Sequence, residues 1–356
     1  VRPICGHLVW SLLDNEVVVT GMTTAQRPTL EAVARLAGVS RATVSRVVNG
    51  STTVAEPIQQ AVRRAVEELG YVPNLAARSL VTQRTDSIAL VLPEAATRVF
   101  SDDQVFPGII RGAAQELEAA DKQLVLMLAG SPAGHERVER YTTGRHVDGV
   151  LFASLHGEDP LPGRLARLGI PVVCSGRPLD GAEVPYVDVD HVGGVAEAVR
   201  HLITNGRRRI ATIAGPQDMV AGIERLIGYR ETVAAAGLPE LIAYGDFTRE
   251  SGTAAMRQLL AADPDLDAVF AASDLMAHAA LRTLREAGRR VPDDVAVIGF
   301  DDIETAAYTE PPLTTVKQPI VELGRAMTRQ LLRIAAGEQV ELALLLPTEL
   351  VVRDSA

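Results

Sequence analysis

From Asp86 onward, short apolar runs alternate with longer amphipathic stretches, and no other feature constrains the fold as tightly. Apolar runs bounded by turn residues read as strands buried on both faces, and the stretches between them have helical length and period. Strict alternation is what a parallel sheet requires, because parallel strands can be joined only by a crossover. The expected strands are Ser87–Leu92, Gln123–Ala129, Gly149–Ala153 and Pro171–Ser175, separated by helices near Phe106–Ala120, His135–Gly144 and Leu161–Leu168. A second set repeats the plan, with strands Ile210–Ala214, Leu241–Tyr244, Ala268–Ala271 and Val295–Gly299. Its helices fall near Val192–Asn205, Arg225–Ala236, Glu250–Ala262 and Leu275–Ala287. Two similar halves in series predict two lobes and a cleft, lined by residues that follow the carboxyl ends of the strands.

Residues 28–50, PTLEAVARLAGVSRATVSRVVNG, follow a different rule. Thr29 is an N-cap, and Leu30, Val33, Ala34 and Ala37 share one helical face. Gly38 supplies the freedom for a sharp turn, and Ser40 caps a second helix that ends at Asn49-Gly50. Val44, Val47 and Val48 face inward in that helix, leaving Arg41, Ala42, Ser45 and Arg46 outward. A third helix is expected over Pro57–Leu69, with Ile58, Val62, Ala65, Val66 and Leu69 as its apolar stripe and Gly70 at its stop. YVPNLAARSL, residues 71–80, is too short to be a stable helix alone. On these residues alone, a helix-turn-helix and an ordinary helical hairpin with a solvated basic face share the same local pattern.

A net charge of −10 looks wrong for a nucleic-acid binder until it is divided along the chain. Between Arg27 and Arg84 stand eight arginines against four glutamates, a net +4, so the remainder carries −14. A basic head on an acidic body is the asymmetry expected when one end alone meets phosphate. No stretch approaches a membrane span, and Cys5 and Cys174 form neither a disulfide framework nor a metal spacing, which points to a reducing, cytoplasmic setting. The first 22 residues carry one positive charge and an irregular apolar patch without a cleavage site, so they read as an extension outside the fold, with Met22 a candidate start.

The segment TLEAVARLAGVSRATVSRVVNG, continued by ELGYVPNLAARSL, resembles the DNA-binding head of the LacI/GalR family of bacterial repressors over about fifty residues without a gap. The rest of the chain fits the same family in order and length. The resemblance implies an all-α helix-turn-helix head over 23–72 and a hinge helix and linker over 73–85. It implies a two-lobed α/β effector domain with parallel sheets, like periplasmic binding proteins, over 86–356. It also implies that the chain crosses back near Pro311–Pro319, adding a helix (Ile320–Gly337) to the first lobe before a last strand closes the second. Arg41, Ala42 and Arg46 match the family's base-reading positions. Thr29, Ser40, Thr43, Ser45, Asn49 and Tyr71 are cast as phosphate or capping residues of the DNA interface. Asn74–Leu80 resembles a hinge helix that orders only on operator DNA, with Leu80 as the minor-groove wedge and Ala77 where twin helices touch.

In the body, the resemblance places Phe106, Ser175, Arg177, Arg225, Phe247, Ser273, Asp274, Asp301 and Gln318 at an effector cleft. Many family members carry aspartate where Ser175 stands, and a residue placed like Asp274 is more often a helix N-cap than a ligand contact. Asp102 and Asp103 fit either a solvated loop or a cationic ligand. Met219 and Ala221 replace polar contacts of the purine-responsive branch, which disfavours a purine and favours a sugar or sugar derivative. The function so implied is a ligand-controlled repressor, acting as a homodimer on a pseudo-palindromic operator, with no cofactor, no metal and no membrane partner. Stopping at LPTELVVRDSA, without a further leucine-rich helix, favours dimer over tetramer. Two rivals remain: a solute-binding receptor, which calls for a secretion signal and no basic head, and an enzyme. No Gly-rich phosphate loop, H-E-x-x-H or G-x-S-x-G motif supports the enzyme.

Overall fold

A computed structural model of the chain describes residues 28–49, 53–72 and 84–356. It divides into two units, 1–83 and 84–356. In the first, α1 (Leu30–Ala37), α2 (Arg41–Val48) and α3 (Glu56–Leu69) enclose a small core of Val33, Ala34, Val44, Val62, Ala65 and Tyr71. Thr29 caps α1 by accepting from the Ala32 amide at 3.3 Å, and Ser40 caps α2 by accepting from the Thr43 amide at 3.1 Å. Gly38 holds φ +65° between them, a left-handed turn that also lets the Val39 amide return to the Ala34 carbonyl. Ile58, expected in the apolar stripe, lies in the first turn of α3 beyond the packed length and stays exposed. Asn74, Ala77 and Leu80, with the rest of the expected hinge up to Gln83, fall outside the described residues, as do residues 1–27.

In the second unit, strands β1 (Ser87–Leu92), β2 (Gln123–Leu128), β3 (Gly149–Phe152), β4 (Val172–Ser175) and β5 (Tyr186–Val189) build the first lobe. Strands β6 (Ile210–Ala214), β7 (Leu241–Tyr244), β8 (Ala268–Ala271), β9 (Ala296–Asp301) and β10 (Thr314–Lys317) build the second. Then β11 (Ala343–Leu346) returns to the first sheet and β12 (Glu349–Val351) to the second. The sheet orders are β2-β1-β3-β4-β5-β11 and β7-β6-β8-β9-β10-β12, one topology used twice. Every pairing is parallel except β10 with β12.

Helices α4 (Ala96–Val99), α5 (Val105–Ala119), α6 (Pro132–Thr143) and α7 (Leu161–Arg167) belong to the first lobe, and α8 (His191–Thr204), α9 (Val220–Ala235), α10 (Arg249–Ala262) and α11 (Asp274–Glu286) to the second. The expected return helix is present as α12 (Ile320–Ala335), packed on α5 in the first lobe. The two helices touch backbone to backbone: a Cβ on Gly112 would lie 2.0 Å from the Val321 carbonyl oxygen, and one on Gly324 would lie 2.3 Å from that of Ile109. Burial on both faces is visible in β1, where Ile88, Leu90 and Leu92 meet α5 and α12 while Ala89 and Val91 meet the opposite core. Strands β5, β10 and β11 were not expected as separate runs. Each is four residues long, and β5 and β10 interleave polar residues (Asp188; Thr314 and Thr315) that weaken the apolar signal.

The chain passes between lobes three times, at residues 189–191, 317–320 and 346–349. Both sheets therefore present the carboxyl ends of their strands to a common cleft, the place where open parallel sheets bind ligands.

Candidate effector cleft and DNA-reading helix

Strand ends supply the polar lining of that cleft. Ser154 follows β3, Ser175 ends β4 and Asp188 lies in β5; opposite them, Phe247 follows β7, Ser273 follows β8, Asp301 ends β9 and Gln318 follows β10. Phe106, Ile109 and Leu323 from α5 and α12, with Leu155, Met219, Val220 and Leu275, form apolar walls. The empty space, counted with its open mouth, is about 970 Å³, at the upper end of the roughly 300–1,000 Å³ usual for small-molecule sites. Of the residues expected here, Phe106, Ser175, Arg177, Arg225, Phe247, Ser273, Asp301 and Gln318 line the cleft, as do Met219 and Ala221.

Asp274 does not, which corrects the expectation. It is fully buried as the first residue of α11, while Ser273 takes the cap by accepting from the Met276 amide. Its Oδ2 accepts from the Ile303 amide at 2.9 Å and its Oδ1 bonds the Thr315 hydroxyl at 2.6 Å, so it stitches the loop after β9 to β10. Burial first, then the neighbouring Asp301, hold its carboxyl well above the usual range.

Arg225, in the second turn of α9, is the hub of the cleft floor and is 4% exposed. Its Nη1 donates to the Ala272 carbonyl at 2.6 Å and to Asp301 Oδ1 at 3.4 Å. Its Nε donates to His191 Nδ1 at 3.2 Å, and its plane lies 3.7 Å above the Phe300 ring. Asp301 in turn accepts from Gln318 Nε2 at 2.7 Å. Burial raises the Asp301 carboxyl to about 7, against the pull of Arg225. His191 is pushed down by burial, and its Nε2 lies 3.0 Å from Asp188 Oδ1. The chain Asp188–His191–Arg225–Asp301–Gln318 thus runs from one lobe crossing to another through a water-poor floor. Three lining residues, Ser154, Phe247 and Asp301, hold φ of +62°, +69° and +120°, backbone strain that concentrates at binding sites.

Two acids were left open by sequence. Asp102 pairs with Arg249 of the second lobe at 2.6 Å, and Asp103 lines the cleft. Sequence reasoning missed Asp188 and His191 because it missed β5, after which His191 stands as the other lining residues stand after their strands. It also missed Glu94, His156 and Asp218, which join the lobes at the cleft edge. Among the described residues, no group of three or more His, Cys, Asp or Glu could hold a metal ion.

On the head, α2 presents Arg41, Ala42 and Arg46 to solvent, with Thr43 and Ser45 half-buried beside them. Arg41 rests against Glu31 at 3.1 Å, both side chains exposed, so it is available to another anion. Thr43 bonds the Ser40 hydroxyl and Asn49 donates to Ser45, two contacts that organise the helix ends. Tyr71 is placed apart from these residues. After the left-handed Gly70 its ring turns into the head core, 8% exposed, where it packs.

Comparison with known proteins agrees with this division of labour. Residues 29–74 match the model of bacterial regulatory proteins of the lacI family, and residues 199–356 match a periplasmic binding protein-like domain. The HTH-type transcriptional regulator CelR of Thermobifida fusca is 54% identical over 340 residues, 94% of this chain and 100% of the relative. Among solved structures, a complex of the transcriptional regulator CelR with cellobiose is 53% identical, with a TM-score of 0.74 over 93% of this chain and 100% of that one. The lac repressor dimer bound to operator and the anti-inducer ONPF is 27% identical, with a TM-score of 0.83 over 93% and 99%. Helical head, doubled sheet topology and an arginine-centred cleft lead to one assignment: the chain belongs to the lacI family of bacterial regulatory proteins.

Proposed function

We propose that this chain represses transcription as a homodimer on a pseudo-palindromic operator, and that a neutral disaccharide in the cleft, cellobiose foremost, adjusts its grip on DNA. The observation that carries the reading is the buried Arg225–Asp301–Gln318 floor, which offers forked donors beside a carboxylate acceptor. Adjacent hydroxyls on a sugar ring need that pairing, and Phe106 and Phe247 add flat apolar faces for the ring. The charged residues of the lining are three arginines (98, 177, 225) and three aspartates (103, 188, 301), so basic side chains do not outnumber acidic ones there. The likeness to the regulator solved with cellobiose points the same way.

In this reading Arg41 and Arg46 contact bases or phosphates, Ala42 offers a methyl contact, and Asn74, Ala77 and Leu80 belong to the segment that joins head to body on DNA. Asp301 serves binding rather than proton transfer, so the protein works as a sensor, not an enzyme, and such a regulator acts in the cytoplasm. The test is direct. Duplexes selected from a random pool by the full chain are titrated with cellobiose, and operator affinity is expected to change at least tenfold. Unchanged affinity across cellobiose, lactose and maltose would remove the carbohydrate assignment, and failure to select any duplex would remove the repressor.

A further inference from the structure

We infer that His191 is a positioning residue: it aims the Arg225 guanidinium into the cleft and, through Asp188, ties that aim to the first lobe crossing. The inference rests on the proposed role of Arg225 as an effector contact. A guanidinium has donors only, so the 3.2 Å bond from Arg225 Nε makes His191 Nδ1 an acceptor. The ring proton must then sit on Nε2, which faces Asp188 Oδ1 at 3.0 Å. A neutral imidazole in a fixed tautomer follows from geometry, and its burial favours the same state. Phe300 locks the assembly, since its face carries the guanidinium at 3.7 Å while the imidazole lies tilted against it at 5.7 Å.

Arg225 has five N–H donors. Nε is taken by His191, and Nη1 by Ala272 and Asp301. Among the described residues Nη2 has no protein acceptor, although the residue is 4% exposed and lines the cleft. That unanswered pair of donors is what a ligand hydroxyl would meet, and its direction depends on the anchor at Nε. Asp188 and His191 bracket the first crossing, with only Val189 and Asp190 between them. Rotation of one lobe about that crossing changes the Asp188–His191 contact, frees the ring and lets the guanidinium swing. Occupancy of the cleft and lobe angle are thereby linked through one imidazole.

The experiment combines a double-mutant cycle with histidine spectroscopy on the full chain. His191→Phe keeps a ring beside Phe300 but removes the acceptor, and is expected to raise the calorimetric Kd for cellobiose about tenfold. In an Arg225→Lys background the same change should add less than twofold, because the Nε partner is already gone. A Kd within twofold of the parent, or an equal factor in both backgrounds, overturns the inference. Nitrogen-15 spectra of the unsubstituted protein keep the question decidable if His191→Phe does not fold. An Nε2–H tautomer whose Nδ1 signal moves on adding cellobiose supports positioning, whereas an Nδ1–H tautomer or an imidazolium at neutral pH overturns it. If the parent does not bind cellobiose, the carbohydrate reading falls, while the tautomer still decides the role of His191.

Discussion

His156 of the first lobe meets Asp218 of the second, Nδ1 to Oδ2, at 2.9 Å. The same ring reaches Glu94 of its own lobe at 3.1 Å, and the Gly157 amide donates to the Asp218 carbonyl at 2.7 Å. Glu94 also pairs with Arg98 and accepts from Ser154. A titratable residue therefore spans the edge of the cleft that effector binding would close.

Hydrogen bonding to Glu94 raises His156 above 6.5, and Asp218 adds to the rise while burial opposes it. The closed state then holds the proton more tightly than the open one. Its contribution is complete below the unperturbed value and is lost as pH rises through the raised one. Opening removes only the Asp218 half, so the dependence should be shallow: cellobiose affinity is expected to fall a few-fold between about pH 6 and 8.5. His156→Gln should remove that fall, leaving the contribution of Asp301, whose carboxyl is raised to about 7. Coincident profiles of the parent and His156→Gln over this range, measured by calorimetry, would show that the contact does not report proton binding.

The exposed arginines of α2 should behave differently from each other. Arg46→Ala is expected to cost about 1–3 kcal/mol of operator binding and to relax base preference at one position per half-site, as loss of a bidentate base contact does. Arg41, already shared with Glu31, is the better candidate for phosphate. Arg41→Ala should lower the slope of log affinity against log salt by about one per subunit with base preference intact. Fluorescence anisotropy across a salt series separates the two. Equal effects on slope and preference would mean that the side chains share one role.

Asp274 makes a sharper case. Because burial and the neighbouring Asp301 push its carboxyl well above the usual range, the isosteric neutral amide is expected to serve nearly as well. Asp274→Asn is expected to change unfolding free energy by under about 1 kcal/mol, whereas Asp274→Ala, which strands the Ile303 amide and the Thr315 hydroxyl, should cost about 2–3 kcal/mol. Neither should change the head's affinity for DNA. Denaturant titration decides, and a destabilising Asn variant would mean that the carboxyl is ionised in the folded state.

Strands β1, β6, β7 and β8 could be placed from sequence because each is an apolar run, broken only by Thr212 in β6 and preceded by Ser87 in β1, that turn residues end. Strand β5 could not, since Tyr186 and Asp188 alternate with its valines, and with it went Asp188 and His191. Asp274 misled because a carboxylate just past a strand end looks like a ligand contact. Only the register of β8, β9 and β10 shows that the Ile303 amide and Thr315 reach it first. Phe106, Arg225, Asp301 and Gln318 could be named through family resemblance, whereas the His156–Asp218 bridge depends on lobe placement, which no local periodicity encodes.

Arg225 is expected to show why single substitutions at such a hub mislead. Arg225→Ala would leave Asp301 buried without its cation, a loss of about 3–5 kcal/mol that could unfold the second lobe and be mistaken for a binding defect. The double variant Arg225→Met, Asp301→Asn removes both charges and keeps most of the volume packed on Phe300. Its thermal midpoint should therefore return close to the parent value. Cellobiose binding should nevertheless fall at least a hundredfold, roughly 3 kcal/mol, while affinity for a selected duplex without effector stays within twofold. Calorimetry and anisotropy on the same preparation test this. A stable double variant that still binds cellobiose would place the sugar contacts elsewhere in the cleft.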